Sequence, residues 1–239
     1  MAKAQPAEQF IKTETGATRG AHVAGESQGN QFPVRYELIS PIILRGIARG
    51  FGFLVQDGGS DWHAGRTASD LYNQLVESIG NWQLGCRHDG YIERALAIVA
   101  VLVHLEESPG VPLPAGDSDR LERFDLIPVA FLRRLSQTYG EGSLKYGDHN
   151  WWKGFKEKML LNHGLAHFFM WSSKDKSEDH LCHGAWNLGG LIHFQETRPD
   201  LLDLQLAIEE HQPYADRESH PLDQDYQAPA PSKPRRRGK

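Results

Sequence analysis

RYELISPIILRGIARGFGFLV, residues 35–55, and RFDLIPVAFLRRLSQTYG, residues 123–140, decide the fold. Each opens on arginine, an aromatic, an acid, Leu and Ile, meets a proline within two residues, and runs on into apolar sequence. A proline in the first turn of a helix sacrifices no hydrogen bond, so Pro41 and Pro128 read as helix starts. A helix over about 128–139, or a little beyond, puts Phe131, Leu132 and Leu135 on one stripe; Gly140, Gly142 and Gly147 should then break the chain into a loop ending at Asn150 and Trp151. Further helices are expected over about 155–172, over 178–195 with Ser177 as its cap, and over 201–210 as a short closing element. The earlier stretch predicts the same plan, with helices near 41–54, 68–82 and 90–107. No segment alternates apolar and polar residues with period two, so the expected fold class is all-α.

The two stretches belong to a longer self-similarity. With one residue inserted, Trp62, Gly65, Asn73, Trp82, His104 and Glu107 return as Trp151, Gly154, Asn162, Trp171, His193 and Glu196. Such a long period predicts two tandem helical-bundle repeats. The expected organisation is a flexible arm over 1–32, a degenerate repeat over 33–107, a linker over 108–122, a functional repeat over 123–212, and a flexible, basic-ended tail over 213–239. The low hydrophobic content of 39% is concentrated in deficit at the two ends. No apolar run suits a signal peptide or a membrane span, so a soluble, cytoplasmic protein is expected. Cys86 and Cys182 have no metal-type spacing and read as reduced thiols. A net charge of −5 argues against a nucleic-acid surface, except at the terminal Pro234 to Lys239 segment. Two fused copies could imitate a dimer, and further homo-oligomerisation is left open.

Residues four apart share a helix face, so His163 projects with His167, and His180 with His183 and Asn187, behind Glu178 and Asp179. If the two helices are antiparallel neighbours, four imidazoles and two carboxylates line one cleft. Such a set could hold a divalent metal (magnesium, manganese or zinc) or move protons near neutral pH. Half-buried histidines that merely hydrogen-bond are the alternative. The segment 139–151 is a second polar cluster: its glycines allow close backbone approach, Lys145 offers a charge for phosphate, and Tyr146 or Trp151 offers a flat face for a base. A plain helix-to-helix turn with a core tryptophan is equally open there. The repeats differ at these positions. Where the second has His163, His167, Asp179, His180, His183 and Asn187, the first has Gln74, Ser78, Gly90, Tyr91, Arg94 and Ile98. Core-filling histidines should be no more dispensable in one copy than in the other, so the asymmetry favours one functional site in the second repeat.

The motifs of the second repeat, Arg123 to Pro128, Tyr139-Gly140-Glu141-Gly142 with Lys145-Tyr146-Gly147-Asp148 and Asn150-Trp151, Asn162-His163 with His167, Glu178-Asp179-His180-Leu181 with His183 and Ala185-Trp186-Asn187-Leu188, and His193-Phe194 with Glu196 to Pro199, resemble the phage-associated dATP/dGTP diphosphohydrolase N-terminal domain family. The resemblance covers about 123–201, and Thr15-Gly16-Ala17 with Arg19 resembles the family's lead-in, which makes the first copy a degenerate member. It implies a helical, phage-encoded hydrolase converting a purine deoxynucleoside triphosphate to the monophosphate and pyrophosphate inside an infected cell. On that basis Glu178, Asp179 and His180 are expected to be catalytic. The metal would sit on His163, His167, His180 or His183 with Asp179, and Arg123, Lys145, Tyr146, Asp148, Asn150, Trp151 and Asn187 would bind substrate. Lys145 and Arg123 would offset charge developing on the phosphates. The chain departs from the family at Ala166, where an arginine is usual, and at Ser173-Lys174, where Gly-Glu is common. A non-catalytic nucleotide-binding protein and a helical structural or interaction protein of a phage are the competing readings.

Overall fold

In the computed structural model, which describes residues 10–20, 32–59, 62–85, 90–113 and 120–204, Ser40 caps the first helix and Pro41 starts it, as expected for that proline. The Ser40 hydroxyl accepts from the Ile42 N–H at 3.2 Å and Pro41 takes the first position of α1, Pro41–Gly58. Gly59, at φ +77°, ends it. A reciprocal cap between Thr67 and Asp70 starts α2, Ala68–Gln83, and α3 spans Tyr91–Glu107. In the second half α4 spans Val129–Tyr146, α5 Glu157–Ser172 and α6 His180–Thr197. Short 3-10 turns at Tyr36–Leu38 and Phe124–Leu126 precede α1 and α4. The fold is all-α. A ribbon of two three-residue antiparallel strands, β1 Phe10–Lys12 and β2 Thr18–Gly20, is the one addition among the described residues, and the Thr15 hydroxyl donates to the Gly154 carbonyl.

Three local expectations need correction. Gly140 and Gly142 do not break α4, which runs on to Gly147 at φ +87°. Gly140 is small for a different reason: a Cβ there would come within 2.1 Å of the Pro33 carbonyl oxygen, so glycine lets the chain ahead of α1 cross the helix. Pro128 is the residue before α4 rather than inside its first turn. Ser177 does not cap α6; Asp179 does, accepting from the Cys182 N–H at 3.2 Å. The basic tail, Cys86, linker residues 114–119 and residues 205–210 lie outside the described residues; of the helix expected over 201–210, Leu201 instead ends a 3-10 turn, Pro199–Leu201, and 202–204 are not helical.

One core serves both halves. In α3 every residue from Ala95 to Val103 is buried, as befits a helix apolar on all sides. It packs on α1 and α2 and also on α4 and α6 of the other half. The pairings keep their pattern when the halves are exchanged: α2 with α3 matches α5 with α6, α1 with α6 matches α4 with α3, and each 3-10 turn lies on the opposite half's first helix. Trp62 and Trp151 are both buried, whereas Trp82 is fully buried and Trp171 only partly so. No helix among the described residues is long and apolar enough to cross a membrane.

Candidate metal centre

Small residues bring α5 and α6 together. A Cβ on Gly164 would rest 3.4 Å from Asn187, one on Gly184 would strike the Phe168 ring at 2.3 Å, and one on Gly190 would meet Leu160 at 3.2 Å. Later residues of one helix meet earlier residues of the other, so the helices are antiparallel. His167, beside Phe168, therefore faces the start of α6, where His180 and His183 stand one turn apart. Glu178 reaches the same point from the connecting loop, and Glu141 approaches from α4.

The distances define a cluster. His167 Nδ1 lies 3.2 Å from His180 Nδ1 and 3.3 Å from Glu178 Oε1, and His180 Nδ1 lies 3.4 Å from that same oxygen. Donors about 2.0–2.1 Å from a tetrahedral zinc stand about 3.3 Å apart, so this triangle has the size of a metal's ligand face. His167, Glu178 and His183 also offer one ligand atom each within 4.8 Å of one another. His183 Nδ1 is 2.9 Å from Glu178 Oε2. The donor set fits a divalent metal.

Charge is distributed unevenly around the cluster. Burial works against the carboxylate of Glu178, but His167 and His183 outweigh it and hold the group well below the usual carboxylate range. Burial likewise opposes a charged His183; its 3.1 Å hydrogen bond to Glu141 Oε2 and the nearness of Glu178 nevertheless push it up to about 10. Glu141 is lowered despite burial by His183 and by Lys145, whose Nζ is 3.0 Å away one helical turn along α4. Without a metal, His183 is the imidazolium that joins two carboxylates. A metal taken by its Nδ1 has to displace that proton.

Several expected site residues stand elsewhere. His163 lies one turn beyond His167, level with Asn187 rather than with the start of α6, and is not part of the cluster. Arg134 grips both oxygens of Asp179 at 2.6 and 2.8 Å while the Cys182 N–H takes one of them, so Glu178, not Asp179, is the carboxylate that faces the histidines. Arg123 is 1% exposed and fixed on Asp125, with its own N–H on the Ala48 carbonyl, so no phosphate from solvent reaches it. Trp151, 7% exposed, packs on Tyr139 and His193 in the core and offers no open face. Its neighbour Trp152 is 52% exposed and stacks on His149 at 4.3 Å. Asp148 pairs with Arg35 at 2.9 Å, and the buried Asn150 accepts from Lys153 at 3.2 Å. Tyr146 is the half-buried last residue of α4. Lys145 does reach the cluster, through Glu141. Asn187, 2% exposed, donates to the His183 carbonyl at 2.8 Å and keeps a buried Oδ1 with no hydrogen bond. Sequence reasoning missed Glu141 and Arg134. The four-residue spacing of Glu141 and Lys145 signalled a continuing helix.

An all-α protein with a histidine and glutamate cluster between antiparallel helices is what fold and site define. Residues 115–203, which include every member of that cluster, match the family model described as dATP/dGTP diphosphohydrolase, N-terminal. No curated protein and no solved structure matches the chain.

Proposed function

We propose that this chain is a metal-assisted hydrolase of purine deoxynucleoside triphosphates, cleaving dATP or dGTP between the α and β phosphorus. The observation that carries the reading is the convergence of His167, Glu178, His180 and His183 inside the segment that matches the family. His167, Glu178, His180 and His183 would hold the divalent ion, which would supply activation of a water and stabilisation of charge at the phosphates. Hydrolysis of the bond from the α-phosphorus to the bridging oxygen would give the deoxynucleoside monophosphate and pyrophosphate. Imidazole donors suit manganese, cobalt or zinc better than magnesium, whose preference is for oxygen. Glu178 would supply the anionic ligand. Lys145, on the exposed side of Glu141, would meet the phosphate charge, the part first given to Lys145 and Arg123 together. The halves of the chain would be copies of one ancestor, the first having lost these side chains, and the protein would act in the cytoplasm of a phage-infected cell.

A second reading, a binding protein that sequesters the nucleotide without turnover, is favoured by Ala166 and by the burial of Arg123, which together leave few cations for the phosphates. Assay of the full chain with dATP and dGTP, with each metal in turn, separates the two. Hydrolysis predicts pyrophosphate that disappears in Glu178→Gln. Nucleotide binding without pyrophosphate selects the sequestering protein.

A further inference from the structure

The half of the chain that lacks the cluster still touches everything that builds it. Glu106, in the last turn of α3, accepts a hydrogen bond from the Trp171 indole N–H at 2.7 Å through one carboxylate oxygen and holds Arg134 at 2.9 Å through the other. Trp171 lies in the last turn of α5, one turn beyond His167, and its ring packs on Tyr72 of α2 at 5.7 Å. Arg134 belongs to α4, as does Glu141, and its guanidinium is bidentate on Asp179, the residue that caps α6 and stands between Glu178 and His180. The Lys176 ammonium, in the loop from α5 to α6, lies 4.0 Å from the same glutamate. One carboxylate of the first half thus joins the three elements whose ends must agree within a few tenths of an ångström for the cluster to form.

The arrangement is well suited to hold position. Arg134 is 11% exposed, and a planar guanidinium gripped on two sides by carboxylates has little freedom to turn. Asp179 cannot shift without breaking either the bidentate pair or the cap of α6, and Glu178 and His180 are its chain neighbours. We infer that Glu106 is a positioning residue for the metal centre: through Arg134 and Trp171, the first half sets the relative placement of α4, α5 and α6, and so the geometry in which the cluster grips its ion. This gives the first half a function despite its lack of ligands, and it rests on the metal centre proposed above.

Cobalt(II) titration of the full chain, followed by the visible absorption of the bound ion, tests the inference. Glu106→Ala should bind cobalt about tenfold or more weakly and with altered bands, as loss of partners around a metal site usually does. Glu106→Gln, which keeps an acceptor for Trp171 but loses the charge facing Arg134, should fall between it and the wild type. Circular dichroism at the titration temperature should show both variants folded. Wild-type affinity and bands in both variants would overturn the positioning role, as would a loss of binding no larger than the loss of folded protein. A wild type that takes up no cobalt would defeat the metal centre itself and this inference with it.

Discussion

Gly184→Ala should disable the cluster without touching a ligand. The added methyl would lie 2.3, 2.6 and 2.9 Å from three atoms of the Phe168 ring, where carbon atoms ordinarily rest about 3.5–4.0 Å apart. Phe168 is fully buried, so its ring cannot swing to solvent, and relief must come from parting α5 and α6 by about 1 Å. Overpacking of this kind costs about 1–3 kcal/mol, and for a domain of this size each kcal/mol lowers the melting temperature by about 2–4 °C. His167 and His183 are the chain neighbours of the two clashing residues, so the same movement separates their ring nitrogens and should weaken zinc binding about tenfold or more. Melting curves with and without zinc, together with competition against a chromophoric chelator, measure both effects. Trimming the ring in Gly184→Ala/Phe168→Leu should restore part of the affinity, a coupling of about 1 kcal/mol or more between contacting sites. Unchanged melting and unchanged zinc affinity in the single variant would refute the packing from which the cluster was built.

His167→Ala should abolish tight metal binding while His163→Ala leaves it near wild type; equal losses by calorimetric titration would mean that the wrong turn of α5 faces α6. Thr67→Ala removes the α2 cap and should lower stability by about 1 kcal/mol with zinc affinity unaltered, measured by denaturant unfolding and chelator competition. In metal-free protein His183 has its pKa raised from 6.5 to about 10, so its stabilising contribution is whole below about pH 6.5 and is lost as pH rises through 10. Urea unfolding in EDTA should show stability declining over that window with a slope of up to about 1.4 kcal/mol per pH unit, and His183→Gln should flatten it.

Helix order was legible because punctuation is local: Pro41 and Gly147 act through neighbours in sequence. The misplaced loop at Gly140 was not, since the reason for that glycine is the Pro33 carbonyl more than 100 residues upstream. The same limit governs the site. Four-residue spacing put His163 and His167 on one face, but only the register of α5 against α6 decides which of them meets His180. Asp179 and Glu178 are adjacent and chemically alike; they part because Arg134, far away in sequence, captures one of them. Arg123 looked like a phosphate ligand because a sequence does not reveal that a guanidinium is buried on its own aspartate. The strands of the N-terminal ribbon, three residues each, are too short to display alternation.

The most direct test of the central claim is pyrophosphate release from dATP and dGTP by the full chain loaded with manganese, cobalt or zinc, run beside Glu178→Gln. The account predicts one pyrophosphate for each deoxynucleoside monophosphate formed by the wild type and none from the variant. Failure of the metal-loaded wild type to release pyrophosphate from either nucleotide, or equal release by Glu178→Gln, would contradict it.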